Sequence, residues 1–264
     1  MRDSIVAVIQ ARTGSTRLPG KVMLPLGERT VLEQMIVRVM RARLLDEVVV
    51  ATTTLPEDAC IVEVATSLSV PCFRGHPTDL LDRHVNAAAA TDARHVVKIP
   101  SDCPLIDPSA IDAVLLAYLG GHGRVDYASN LHPATYPDGN DVEVISLRAL
   151  EQAWHEATSP SDREHTTPFI WSRPERFRMV NVRWDGGRNA ASTHRYVLDY
   201  PEDHAVIQAI FDALHQAVPE FGVDAIVDFL DTHRDVAALN ARRRGTPRRD
   251  ASAPMLHPQA GSAA

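Results

Sequence analysis

The chain has 264 residues, of which 45% are apolar and 23% are charged, and these proportions are typical of a globular protein. Its formal net charge of −7 argues against a general nucleic-acid-binding surface, because a long polyanion requires a broad basic face. No stretch approaches the roughly 18 apolar residues that a membrane span needs, and the amino terminus lacks the cleavage site of a signal peptide. We therefore expect a cytoplasmic protein that binds neither nucleic acid nor membrane.

Cysteine and histidine are not arranged as metal ligands. The three cysteines are scattered and odd in number, so we expect neither a disulfide framework nor a paired zinc motif. The 12 histidines lack the i, i+4 pairing of a helical zinc site. These side chains are therefore predicted to be ordinary core or surface positions.

The chain opens with a short apolar run followed by a polar loop, between Ile5 and Lys21. The run predicts a central parallel strand, and the loop after such a strand opens at the carboxyl edge of a sheet, where ligands bind. The loop carries two glycines, two hydroxyl side chains and three cations: Gly14, Gly20, Ser15, Thr16, Arg12, Arg17 and Lys21. Groups of this kind predict a phosphate-binding loop.

This loop has two other possible interpretations. A Walker A motif does not match, because the spacing from Gly14 to Gly20 is one residue too long and Val22 stands where a Ser or Thr should hold magnesium. A solvated basic loop with turn glycines remains open on these residues alone.

Strand and helix patterns alternate after the loop. Thr30 and Glu33 form a capping-box pattern, and the helix that they start is predicted to end near Arg43. Further strands are predicted at 47–51, 70–73 and 95–99, and further helices at 57–68, at 79–90 with Thr78 or Asp79 as cap, and at 108–119. This alternation predicts an α/β fold, a Rossmann-like and mostly parallel sheet with helices on both faces.

Aspartates follow or precede several of these elements. Asp102 comes directly after the fourth strand and is predicted to lie at the carboxyl edge of the sheet. Asp107 precedes Pro108 at a helix start, so we assign it a structural role. Asp199 follows a short apolar run, and Asp203 lies in the first turn of the helix opened by Pro201, where a carboxylate suits the helix dipole.

The pattern changes after Gly120 into a mixed α/β extension. A strand is predicted at 126–130, a turn-rich loop that forms a binding edge or lid at 131–140, and a strand from Asp141 in which Asp141 and Glu143 share one face. A solvated edge strand remains the alternative there. Helices are predicted at 150–157 and after a cap at Ser161, and a strand at 177–184.

Several motifs in order resemble those of the spore-coat polysaccharide type of cytidylyltransferase, in the larger group with the CMP-Kdo and CMP-sialic acid synthetases. They are ARTGSTRLPGK, FRG, SDCPLID, YPDGNDVEV, DREHTTP and LDYPED. The resemblance covers about Ile5 to Leu230. It implies a nucleotide-diphosphosugar transferase fold and transfer of CMP from CTP to an acceptor oxygen with release of pyrophosphate. Pro100 before SDCP, and Lys98 where we expect Arg, depart from the pattern and affect the expected acceptor contacts.

The resemblance also implies residue roles. The catalytic residues would be Arg12, Lys21 and Asp102, and Asp102 and Asp199 match the acidic positions that hold Mg²⁺ in relatives. The nucleotide would be bound by Ala11, Arg12, Gly14, Ser15, Arg17, Lys21, Ala51, Thr52, Arg74, Asp82 and Ser101. The acceptor would be bound by Tyr136, Asp141, Glu143, Arg163, Glu164 and His165. These are the cations and carboxylates that phosphoryl-type transfer requires.

The expected partners are CTP and a small acidic acceptor, and the resemblance implies a homodimer formed mainly by the extension. We expect one nucleotidyltransferase domain over residues 1–244, with a nucleotide-binding half at 1–120, an acceptor-binding extension at 121–200 and C-terminal helices at 201–244. A disordered tail is expected at 245–264. Another nucleoside triphosphate, a phosphonate acceptor, or an inactive nucleotide-binding regulatory domain remain as alternatives.

Overall fold

A computed structural model of the chain describes residues 4–245. Its strands are β1 (Ile5–Gln10), β2 (Pro25–Leu26), β3 (Arg29–Thr30), β4 (Glu47–Thr53), β5 (Cys72–Gly75), β6 (His95–Pro100), β7 (Tyr127–Ser129), β8 (Glu143–Ser146) and β9 (Met179–Asn181). Its α-helices are α1 (Val31–Val39), α2 (Ala59–Ser67), α3 (Leu80–Ala90), α4 (Pro108–Gly120), α5 (Leu147–Glu156), α6 (Pro160–His165), α7 (Pro168–Trp171), α8 (Pro201–His215), α9 (Val223–Thr232) and α10 (Arg234–Ala238).

A seven-stranded sheet in the order β5-β4-β1-β6-β8-β7-β9 forms the centre of the molecule. Strands β5, β4, β1 and β6 are parallel, so their carboxyl ends meet at one edge. The extension continues the sheet with β8 antiparallel to β6, β7 antiparallel to β8, and β9 parallel to β7. The predicted α/β class with a mostly parallel sheet is confirmed.

The central strand is buried on both faces. Ile5, Ala7 and Ile9 pack into an apolar cluster with α1, α2 and α4, whereas Val6 and Val8 pack on the opposite side against α3, α5 and α7. A parallel strand that is covered twice needs apolar side chains at every position, and this explains the continuous run in the sequence.

A third apolar cluster joins α8 and α9 to the small β2–β3 hairpin. It positions the segment just before α8, where the backbone N–H of Leu198 donates to the carbonyl of Asp102 (2.7 Å). The carboxyl end of β6 and the start of α8 are thereby held side by side.

Within residues 4–245, no helix combines the length and apolar character that a membrane crossing would require.

Several element boundaries differ from the predicted ones. Helix α1 ends at Val39 rather than near Arg43, because the backbone N–H groups of Arg43 and Leu44 donate to the carboxylate of Asp112 (both 3.1 Å) instead of continuing the helix. The capping box of Thr30 and Glu33 is confirmed. Strand β4 extends to Thr53, and β5 is displaced two residues toward the carboxyl end.

In the extension, the predicted cap at Ser161 was wrong. Pro160 occupies the first helical position, where its missing N–H is tolerated, so α6 starts before Ser161. Helix α5 begins three residues early because the side chain of Ser146 caps it, accepting from the N–H of Ala149 (3.2 Å). Strand β8 begins at Glu143, so Asp141 precedes the strand and the two acids do not share a strand face.

The division of the chain into a nucleotide-binding half, an extension and C-terminal helices stays a prediction. The expected disordered tail at 245–264 lies, apart from Gly245, outside the described residues.

Asp107 has the structural role that its position before Pro108 predicts. Its Oδ1 accepts from the N–H of Ser109 (2.7 Å) at the start of α4, and its Oδ2 accepts from the N–H of Val223 (2.7 Å) at the start of α9. One buried carboxylate thus caps two helices.

Replacement of this carboxylate should destabilise the fold. We expect Asp107→Ala to lower the free energy of unfolding by about 2–4 kcal/mol, since a cap is lost and the buried N–H of Val223 is left unpaired. Urea denaturation would measure this. The control is Asp228→Ala, an exposed position on α9, which should change stability by less than about 0.5 kcal/mol. Equal losses of stability in Asp107→Ala and Asp228→Ala would contradict the capping role of Asp107.

Candidate active site

The loop between β1 and Lys21 is closed on itself by backbone hydrogen bonds. The carbonyl of Thr13 accepts from the N–H of Ser15 (2.8 Å) and from the N–H of Gly20 (2.9 Å). Gly20 has a φ of 68°, a left-handed conformation that glycine adopts without strain. The loop therefore forms a compact turn at the carboxyl edge of the sheet, with Arg12 and Arg17 exposed.

Lys21 joins three distant parts of the chain at this edge. Its Nζ donates to the carbonyl of Leu198 (2.6 Å) and to Oδ1 of Asp199 (3.1 Å), and it contacts Oδ2 of Asp102 at 3.3 Å. The structure therefore brings together the lysine and the two aspartates that the sequence singled out. Burial lowers the pKa of Lys21, but the two carboxylates outweigh this effect and raise the pKa above its ordinary value.

Asp199 lies among three cations. Besides Lys21, the guanidinium of Arg17 donates to Oδ1 at 2.6 Å, and that of Arg195 donates to Oδ2 at 3.3 Å. Burial would raise the pKa of the Asp199 carboxyl, and these cations hold it below its ordinary value instead. Asp199 is therefore ionised at neutral pH.

Sequence reasoning missed Arg195. Its guanidinium, which is buried, also binds both carboxylate oxygens of Asp203 (3.1 and 3.0 Å) and Oδ2 of Asp138 (2.7 Å). Asp203 is fully buried and accepts from the backbone N–H groups of Asp199 and Tyr200, so it does more than complement the helix dipole. The spacing of Arg195 and Asp199 gave no signal, because side chains four residues apart are neighbours only on a helix, and both residues precede α8.

A cavity of about 220 Å³ opens beside these groups, on the face of the sheet that α3 covers. Many of its lining residues were predicted as site residues: Ala11, Arg12, Ser15, Arg17, Lys21, Ser101, Asp102, Glu164 and His165. Thr16, whose hydroxyl belongs to the predicted phosphate-binding loop, also lines the cavity. The remaining lining residues were not predicted as site residues: Gln10, Leu80, Arg83 and Pro100. Glu164 and His165 come from the end of α6, so the extension contributes one wall.

Arg83 has a role that is visible only in the three-dimensional structure. Its guanidinium is buried and donates to the carbonyls of His76 (2.6 and 3.0 Å) and Pro77 (2.9 Å), which fixes the segment before α3. Burial, followed by the nearby positive charge of Arg12, lowers the pKa of Arg83 to about 10. Arg12 and Arg83 both line the cavity, so positive charge borders it on the side of α3 as well as on the side of the loop.

Other residues predicted to bind nucleotide do not line this cavity. Gly14 is exposed on the loop, and Ala51 and Thr52 are buried at the end of β4. The guanidinium of Arg74 donates to the carbonyls of Thr53 and Leu55, and the carboxylate of Asp82 accepts from the indole N–H of Trp154 (3.0 Å). Their predicted roles stay untested.

Of the six residues predicted to bind the acceptor, only two line the cavity. Tyr136 is buried in a stack with Trp184, with ring centroids 6.1 Å apart, and Arg163 is paired with Asp79. Glu143 is buried and ion-paired with Lys98, and it accepts from the hydroxyl of Tyr127 (2.7 Å). Asp141 is half-buried. None of these four lines the cavity, whereas Glu164 and His165 do.

In the part of the chain that the structure describes, no group of three or more His, Cys, Asp and Glu side chains is arranged as a metal site. Asp102 and Asp199 nevertheless share one cation, the ammonium of Lys21. Two carboxylates suffice as protein ligands of Mg²⁺, which takes its remaining ligands from water and phosphate. The donor set therefore fits that ion.

Known proteins resemble this chain over most of its length. A family model described as cytidylyltransferase matches residues 6–238. The chain belongs to the cytidylyltransferase family. The spore coat polysaccharide biosynthesis protein SpsF of Bacillus subtilis is 28% identical over 240 residues, 89% of this chain and 97% of that protein. The 3-deoxy-manno-octulosonate cytidylyltransferase of Solibacter usitatus is 36% identical over 180 residues, 64% of this chain and 69% of that enzyme.

The fold is also that of a solved cytidylyltransferase. A structure from Leptospira borgpetersenii serovar Hardjo-bovis superposes with a TM-score of 0.85 at 29% identity, over 89% of this chain and 97% of that one. The resemblance that the sequence motifs indicated is confirmed, and the protein is an enzyme of this family.

The cations around Asp199 predict a pH-dependent contribution to stability. The pKa of Asp199 is lowered from 3.8 by folding, so its stabilising effect is complete above that value and is lost as the pH falls through the folded-state pKa. At about pH 7, Asp199→Asn should therefore be less stable than wild type by about 2 kcal/mol or more, because Arg17, Lys21 and Arg195 each lose one carboxylate contact.

Urea denaturation at a series of pH values would measure this difference. The stability gap between wild type and Asp199→Asn should narrow as the pH is lowered toward about 3, whereas any gap for the exposed control Asp228→Asn should stay constant. A gap for Asp199→Asn that widens in acid would disprove the assignment.

Proposed function

We propose that this cytidylyltransferase transfers CMP from CTP to an acidic sugar or related anionic acceptor and releases pyrophosphate. The observation that carries the proposal is the convergence of Asp102 and Asp199 on the ammonium of Lys21, where Lys21 and Asp102 line a cavity bordered by the cationic loop. The family provides the class of reaction, and the geometry supports particular residues in particular roles.

The loop suits a triphosphate. Arg12 and Arg17 are exposed and can move, whereas Lys21 is buried and held in place. Together with the hydroxyl of Ser15, these donors border the same cavity. Arg17 is 40% exposed in its side chain although it contacts Asp199, and it can therefore turn toward a phosphate oxygen. In this role Lys21 stays in place, since its ammonium is already held by three oxygens.

The carboxylates of Asp102 and Asp199 would hold Mg²⁺. When bound there, the ion supplies neutralisation of the charge that develops on the phosphates. Asp102 is 27% exposed in its side chain and faces the cavity, whereas Asp199 is held from behind by Arg195. Asp102 can thus reach the nucleotide, while Asp199 anchors the site.

The reaction that fits these groups is a direct in-line displacement. The acceptor oxygen bonds to the α-phosphorus, the bond to the bridging oxygen breaks, and its electron pair leaves on pyrophosphate beside Arg12 and Lys21. The proton of the attacking hydroxyl is released to solvent through the open cavity. Cys103, next to Asp102, is a poor nucleophile because burial raises the pKa of its thiol well above the ordinary value. This supports a mechanism without a covalent enzyme intermediate.

An anionic acceptor is supported by the opposite wall. Arg83 of α3 supplies positive charge to this wall, and Glu164 and His165 of α6 supply polar groups that can orient sugar hydroxyls. A sugar acid of the 3-deoxy-manno-octulosonate kind carries both features. A phosphonate shares the negative charge, so both classes belong in the test.

The decisive experiment is incubation with CTP, Mg²⁺ and a panel of acidic sugars and phosphonates, followed by mass-spectrometric identification of a CMP conjugate. Thermal shifts with CTP, UTP, GTP and ATP would establish the nucleotide, since a ligand at about 100 times its Kd stabilises by about 2.7 kcal/mol. Tight CTP binding without pyrophosphate release across the panel would favour an inactive regulatory domain instead.

We propose that the enzyme is a homodimer formed mainly through the extension, residues 121–200. Sedimentation at micromolar concentration would test this. A monomer at that concentration would count against it.

Removal of the carboxylate that faces the cavity should abolish most activity. We expect Asp102→Asn to lower the rate of pyrophosphate release by about a hundredfold or more, because a neutral amide cannot hold Mg²⁺ beside the phosphates. A coupled pyrophosphate assay at limiting Mg²⁺ would measure this rate. Asp228→Asn is the matched control and should keep the wild-type rate. Near-normal turnover of Asp102→Asn would remove Asp102 from the metal site.

A further inference from the structure

The loop that borders the cavity is organised around Thr13. The carbonyl of this residue accepts from the N–H of Ser15 near the beginning of the loop and from the N–H of Gly20 at its end. The position of Thr13 therefore determines where both ends of the turn lie. Strand pairing holds the chain only as far as Ala11, whose N–H donates to the carbonyl of Ala51 (3.1 Å).

Asp58 holds Thr13 from a different part of the sheet. Its Oδ1 accepts from both the backbone N–H and the hydroxyl of Thr13, each at 2.7 Å. Its Oδ2 accepts from the hydroxyl of Thr53, the last residue of β4. One carboxylate thus connects the loop after β1 to the end of the neighbouring strand.

The chemical state of Asp58 suits this connection. The residue is 1% exposed, and burial would raise the pKa of its carboxyl. Hydrogen bonds from Thr53 and Thr13, together with the charge of Arg83, outweigh burial and keep the pKa below its ordinary value. An ionised carboxylate only accepts hydrogen bonds, so it matches three donors without leaving one unpaired.

We propose that Asp58 and Thr53 are positioning residues for the triphosphate loop, acting through Thr13 to hold the loop in its binding conformation. This inference rests on the proposed function, because it assumes that the loop takes the phosphates of CTP. Neither residue lines the cavity. They act on the affinity for the ligand. If the loop is ordered for only a fraction of the time, the apparent Kd of its ligand rises in inverse proportion to that fraction.

The experiment compares two substitutions at Thr13. Thr13→Val removes the hydroxyl and keeps the backbone N–H, whereas Thr13→Ser keeps both donors to Asp58. The Kd of CTP and that of inorganic tripolyphosphate would be measured by calorimetry with Mg²⁺. We expect Thr13→Val to raise both Kd values about tenfold, the usual effect of one hydrogen bond to a charged acceptor, and Thr13→Ser to stay within about twofold of wild type.

Two further variants separate positioning from general stability. Thr53→Val breaks the other end of the connection and should weaken tripolyphosphate binding in the same direction, so it also serves if Thr13→Val does not fold. Thr135→Val is the matched control, since Thr135 is buried and its hydroxyl accepts from the N–H of Trp184 (2.7 Å) away from the cavity. It should lower the melting temperature without changing the Kd of tripolyphosphate.

The outcomes distinguish this inference from the proposed function. Wild-type Kd values in Thr13→Val and Thr53→Val, with melting temperatures lowered as in Thr135→Val, would overturn the positioning role alone. Tripolyphosphate binding without CTP-dependent pyrophosphate release would overturn the proposed function and leave the positioning role to be judged on its own Kd values. A wild-type protein that binds neither compound would overturn both.

Discussion

The buried ammonium of Lys21 is the interaction on which the site depends. It lies within hydrogen-bond distance of Asp102, Leu198 and Asp199, which come from the end of β6 and from the segment before α8. A lysine removed from water without partners would cost several kcal/mol, so these segments must converge if the loop is to close over the core. The same contact places two carboxylates side by side at the sheet edge.

The fold supplies the convergence in two ways. Parallel pairing of β4, β1 and β6 brings their carboxyl ends to one edge, where the loops that follow them meet. The C-terminal helices then pack against the β2–β3 hairpin and bring Asp199 to the same place. Asn240, beyond α10, donates to Asp203 (2.9 Å) and to the carbonyl of Arg195 (3.1 Å), so the end of the described chain also supports the site.

The positive charge is concentrated around the cavity, although the chain as a whole is acidic. The chain carries a net charge of −7, yet Arg12, Arg17, Lys21 and Arg83 border one small cavity. Lys21 is balanced by carboxylates in the structure, and Arg17 is balanced while remaining partly exposed. A polyanion can therefore be neutralised by side chains that are already positioned, and an overall basic surface is unnecessary.

The sequence by itself determined the elements whose signals are local. The unbroken apolar run of β1, the capping box of Thr30 and Glu33, and Asp107 before Pro108 each reflect contacts within a few residues or burial on both faces of one strand. The order of the family motifs also predicted that the loop, Asp102 and Asp199 belong to one site. These features depend little on residues that are distant in the sequence.

Only the tertiary structure decided which side chains meet. Periodicity reports the face on which a residue lies, but not the partner opposite it, so the burial of Glu143 against Lys98 and of Tyr136 against Trp184 could not be read from the pattern. Asp58 and Arg195 were missed for the same reason. Asp58 meets Thr13 across 45 residues of chain, and Arg195 reaches Asp138 across 57, distances at which hydrogen bonding leaves no local trace in the sequence.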